Sequence, residues 1–141
     1  MFDDGLVVVD AHHHLWDLEA CDYPWLMARG VRRFFGDPTP IQKNYLVADL
    51  LEDAAGIPLR GSVHVQVGVA EGEEVKETGW LQKCSADTGL PSAAVAYCDL
   101  AAPSAPQVLE QQRNFPVVRG IRQIVGRSAE EDALTGSSAL L

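Results

Sequence analysis

Apolar runs of strand length alternate with helical apolar spacing along most of the chain. Leu6-Val7-Val8-Val9 is short and rich in β-branched residues, which predicts a buried strand over about residues 6–10. Leu46, Val47, Leu50, Leu51 and Ala54 recur at helical spacing and predict a helix over about 46–55, with Gly56 as its stop. Residues 62–68 alternate cleanly: Val63, Val65 and Val67 face one way, His64 and Gln66 the other. A second helix is predicted over about 73–88. Pro91 precedes a third strand, residues 93–98, which ends at Asp99-Leu100. Ser104-Ala105-Pro106 opens a third helix, with Ser104 as N-cap and proline in the first turn, running to about Asn114. The fourth strand covers about 117–125, and the tail from Ser128 starts a further helical stretch.

Repeated strand–helix units indicate a parallel sheet, either doubly wound or closed into an eight-stranded barrel. Both architectures place ligands at the C-terminal strand ends. Polar residues collect at those ends: His12 and His14, His64 and Gln66, Asp99, Arg122. No GxGxxG or P-loop follows the first strand, which argues against nucleotide binding. A His-x-His in that place favours the barrel. The connection from His14 to about Asn44, roughly 30 residues, exceeds the usual strand–helix loop, and loops of that length are often functional. It carries Trp16, Tyr23 and Trp25, which either pin the loop or line a pocket.

The most informative run is Asp10-Ala11-His12-His13-His14. Strict alternation puts Val8, Asp10, His12 and His14 on one face. Two imidazoles so placed suit one divalent metal, zinc first among them. A catalytic metal usually draws about three protein ligands, so the pair is either part of a site or a solvated strand end. His13, on the other face, reads as structural.

Composition narrows the partners. The chain has 141 residues, 47% hydrophobic and 22% charged, which fits one globular domain. The net charge is -9, with 11 Lys and Arg scattered along it, so nucleic acid is not an expected partner. Cys21, Cys84 and Cys98 are odd in number and lack CxxC spacing; they read as reduced thiols, Cys98 as a small buried hydrophobe. The acidic start, Met1-Phe2-Asp3-Asp4, lacks the basic region of a signal peptide. No apolar run approaches a membrane span. The expectation is a cytoplasmic protein with a small-molecule substrate and no membrane partner, and with room for a homo-oligomer.

The stretch Asp10-Ala11-His12-His13-His14-Leu15-Trp16-Asp17, followed by Tyr23-Pro24-Trp25-Leu26, resembles the opening of an amidohydrolase-superfamily group. This is amidohydrolase family 2, metal-dependent TIM-barrel hydrolases that include fuconolactonase-like and pyrone-dicarboxylate lactonase-like enzymes. Val63-His64-Val65-Gln66, Glu77-Thr78-Gly79-Trp80-Leu81, Ala96-Tyr97-Cys98-Asp99-Leu100 and Arg119-Gly120-Ile121-Arg122-Gln123 extend the resemblance in the same order. It implies an α/β fold, a (β/α)₈ barrel whose first four units this chain would cover. His12 and His14 would be the first-strand metal pair. A further histidine and a late aspartate, the general base, would come from a second half of the barrel. Zinc is the first expectation and manganese the second, and metal dependence varies within the group. Such barrels typically need about 250 residues, so the expectation is an N-terminal half.

What the resemblance implies in chemistry is a lactonase that opens a sugar or aromatic-catabolite lactone by water attack on the ester carbonyl. A decarboxylase or amide hydrolase on the same barrel, or a non-catalytic fragment, stands as the alternative. His64, Gln66 and Arg122 are the candidate substrate-binding residues; a buried arginine needs an anionic or carbonyl partner. Glu77-Thr78 either reaches the site or stays on the helix, where Glu77 reads first as a solvated residue; Asp99 either serves the site or, the first reading, caps the following turn.

Overall fold

Four strands pair in parallel in the order β1-β2-β3-β4. They are β1 Val8–His13, β2 Leu59–Val65, β3 Ala93–Ala96 and β4 Val118–Ile121. The computed structural model describes residues 5–31, 33 and 36–124. The predicted tail from Ser128 lies outside them. Four helices connect the strands: α1 Pro24–Met27, α2 Val47–Asp53, α3 Glu74–Thr88 and α4 Ala105–Arg113. A doubly wound sheet reverses its strand order at a switch point, and none of these four strands does so.

Helix ends follow the sequence signals in part. Gly89 ends α3 with φ of 82°, a left-handed backbone that suits glycine, and its N–H donates to the Ser85 carbonyl at 2.8 Å. α2 starts where the Asp49 carboxylate accepts the Leu46 N–H at 2.8 Å. Ser104 occupies the N-cap of α4, but no side-chain bond is made there; Pro106 in the first turn sets the start instead.

One core lies between the sheet and its helices. Leu15, Val47, Leu50, Leu81, Leu90, Ala94 and Val117 are buried together. Residues from α2 and α3 share this cluster with Ala94 of β3, so both helices cover the same face of the sheet. A second, smaller cluster of Cys21, Tyr23 and Leu26 packs the long β1 connection against Val67 and Val69, just past β2.

The strand boundaries shift from the sequence expectation for physical reasons. β1 runs through the histidines rather than stopping at Asp10, because pairing continues to His13 opposite His64. β4 stops at Ile121 because β3 ends at Ala96, whose carbonyl takes the Arg122 N–H at 2.8 Å as the last rung. β1 also carries a bulge. Asp10 pairs with Ser62 and His13 with His64, three residues against two. Ser62 and His64 share a face, so Asp10 shares it with His13. The expected face of Asp10, His12 and His14 is thereby corrected for Asp10. No helix among the described residues is long and apolar enough to cross a membrane.

Leu81 is 1% exposed at the centre of the core, whereas Leu51 is half exposed on α2. Leu81→Ala should cost about 2–5 kcal/mol and Leu51→Ala well under about 1 kcal/mol. Urea denaturation of the two variants checks this; similar losses would contradict the assignment of the core face.

Candidate functional site

The site is built where β1 and β2 end. His12 is exposed, His14 half-buried and His13 buried. The His12 and His14 rings meet edge to face, with centroids 5.0 Å apart. His14 Nδ1 lies 2.7 Å from the Val65 carbonyl oxygen. A carbonyl only accepts, so Nδ1 carries the proton and Nε2 keeps its lone pair. Metal-binding histidines typically show this arrangement, one ring nitrogen fixed by a backbone carbonyl and the other turned to the ion. Burial lowers the His14 pKa, partly offset by the Val65 bond, and the charges of His64, His12 and Arg122 lower it further. A depressed pKa keeps the imidazole neutral, the form that binds metal. His12 and His14 thus fit as two ligands. No group of three or more metal-ligating residues occurs among the described residues.

His64 stands level with His13 on one side and Ala94 on the other, on the helix-covered face. It is fully buried. Its Nδ1 accepts the Leu15 N–H at 3.1 Å, so its proton sits on Nε2, 3.7 Å from the Glu77 carboxylate. The sequence placed His64 among substrate-binding residues; the structure puts its ring beneath the strand ends, 6.4 Å from the His14 ring.

Gln66 is 3% exposed, and its Oε1 has no hydrogen-bond partner among the described residues. Its backbone carbonyl accepts a hydrogen bond from Arg122 Nη2 at 2.7 Å. That bond ties the ends of β2 and β4 together and aims the guanidinium. The structure therefore brings His12, His14, Gln66 and Arg122 to neighbouring strand ends. Asp99 behaves as the expected cap: its Oδ1 accepts the Ala101 N–H at 3.0 Å and Gln123 Nε2–H at 2.9 Å. Cys98 is fully buried and burial raises its thiol pKa, as the small-hydrophobe reading requires. Trp25 packs over Gly68, where an added Cβ would lie 3.5 Å from the indole, so the long loop closes directly on the chain leaving β2.

The residue that sequence reading misplaced is Glu77. It is 1% exposed rather than solvated. A signal existed: Glu77 lies one turn before Leu81 on the same helix face, and Leu81 belongs to the core. Its Oε1 accepts the Val67 N–H at 3.2 Å.

Comparisons with known proteins agree with this architecture. No protein-family profile matches the chain. A protein of Sinorhizobium fredii, "uncharacterized protein y4mH", is 39% identical over 118 residues, covering 84% of this chain and 40% of that protein. An amidohydrolase of Burkholderia multivorans, solved with bound zinc, superposes with a TM-score of 0.68 at 24% identity. The match covers 96% of this chain and 43% of that one. A second crystal form of it, with bound HEPES, gives the same score over 42% of its length. The chain thus spans about two fifths of the proteins it matches. What the structural likeness shows is the shared fold, α/β with a parallel sheet.

His13 generates a pH prediction. Neither of its ring nitrogens has a hydrogen-bond partner among the described residues. Burial first, then the neighbouring His64, lowers its pKa from 6.5 to about 4. The unfolded chain therefore binds this proton more readily, and stability is lost as pH falls from 6.5 towards 4. His13→Leu should remove about 1–3 kcal/mol of that acid loss. Urea denaturation from neutral to mildly acid pH on both proteins tests it; equally steep declines would assign the loss to other groups.

Proposed function

We propose that this chain forms the metal-bearing end of an amidohydrolase-superfamily hydrolase, a lactonase acting on a small lactone. The observation that carries the reading is the His12–His14 pair at the end of β1, with His14 locked by Val65 into the tautomer that leaves Nε2 available. Support comes from the shared fold with the Burkholderia multivorans amidohydrolase, which was solved with zinc.

His12 and His14 would hold a divalent ion, zinc before manganese, that polarises the lactone carbonyl and acidifies a water. The general base and remaining ligands belong, in this reading, to the second half of a closed barrel. Arg122 sits where its planar fork can take a substrate carboxylate, and its bond to Gln66 fixes the direction of that fork. In this reading Gln66, at the end of β2, is kept as a substrate-binding residue. The Trp25 indole lies over Gly68 beside these strand ends. The reading includes a cytoplasmic location and a small-molecule substrate.

Two measurements on the protein that carries this chain test it. Metal content should disappear in the His12→Ala/His14→Ala double variant by elemental analysis; undiminished metal there, or none in the native protein, would remove the metal centre. Arg122→Lys keeps the charge and loses the fork. It should lower kcat/KM by roughly ten- to a hundredfold, more for carboxylated than for neutral lactones. Equal losses across a panel of both would make Arg122 purely structural, and no ring opening of any member would sink the lactonase reading.

A further inference from the structure

We propose that Glu77 is a positioning residue for the His12–His14 pair, gripping both flanks of Val65 from within the helix layer. This rests on the reading of that pair as metal ligands. A carboxylate buried on α3 is costly unless its oxygens are engaged. Oε1 of Glu77 is engaged twice. It accepts the Val67 N–H at 3.2 Å and stands 3.7 Å from His64 Nε2, the nitrogen that carries the proton. The first is a hydrogen bond; the second is an electrostatic contact just beyond hydrogen-bond range.

The two engaged residues lie on either side of Val65, whose carbonyl sets the His14 tautomer. The grip extends further on one side. His64 Nδ1 accepts the N–H of Leu15, the residue immediately after His14. His14 is therefore held from two directions: its ring by the Val65 carbonyl, its following peptide by His64. Glu77 touches one arm of this clamp directly, at His64, and braces the chain just beyond the other at the Val67 N–H, two residues past Val65. Outer partners of metal-binding histidines typically change metal affinity about ten- to a hundredfold when removed, without touching the ion.

The experiment uses the protein that carries this chain, with zinc ions alone. Long-range proton–nitrogen NMR reads which nitrogen of His14 and His64 carries the proton, and calorimetry reads zinc affinity. Glu77→Gln keeps the length and an acceptor oxygen, and should retain the His14 tautomer and the Leu15 amide shift. Glu77→Asp is one methylene short and should lose both, with zinc affinity falling about tenfold or more. Val117→Ala makes a core cavity without removing any of these bonds, controls for general loss of stability and should leave the tautomers unchanged. If the Asp and Gln variants behave alike, or Val117→Ala reproduces the Asp result, Glu77 is only a buried helix residue and the proposal fails. If the wild-type protein that carries this chain shows no zinc response while the tautomers still separate the Asp and Gln variants, the positioning role stands and the metal reading falls.

Discussion

The parallel pairing of β1 with β2 is the constraint on which the site depends. β1 is held to β2 at Val8, Val9, Asp10 and His13, and beyond the last pair two side-chain bonds take over from the ladder. One is His14 to the Val65 carbonyl; the other is the Leu15 N–H to His64. These bonds continue the register past the point where regular strand geometry ends. They hold a strand terminus, which ordinarily frays, so that the His14 imidazole is fixed beside His12. The bulge before His13 matters here. By adding one residue it sends His13 under the helices while His12 stays exposed.

Much of this was legible in the sequence, and the reasons are specific. The helix over Glu74–Thr88 was predicted within one residue. The parallel order followed from repeated strand–helix units. Other features had no one-dimensional signature. The bulge in β1 depends on how Ser62 and His64 meet it, which no local pattern in Val8–His13 encodes. Glu77 sits among Glu73, Glu74 and Lys76, and composition cannot say which of these acids faces the sheet. Only the spacing to Leu81 marks it.

The candidate site shows the same division. The His-x-His motif was visible because alternation is a property of the chain alone. That Arg122 reaches the Gln66 carbonyl, 56 residues away, follows from β2 and β4 flanking the short β3 in the sheet, which needs the three-dimensional order. His64 was readable as important but not as a support. Its role is decided by Leu15 and Glu77, which approach it from a loop and a helix that the strand pattern does not contain.

The outer side of β1 has a further consequence. Among the described residues β1 is an edge; Val7 just before it is 60% exposed and Val9 within it 57%. Asp10 is the single carboxylate within Val8–His13, and neither lysine nor proline interrupts the strand. Natural edge strands are usually blunted by such residues, because a row of unpaired N–H and carbonyl groups templates another strand. The β-branched start of this edge, Val8-Val9, favours pairing with another strand. Left uncovered, such an edge is a template for another extended segment, and pairing through β1 would carry the two histidines towards the contact.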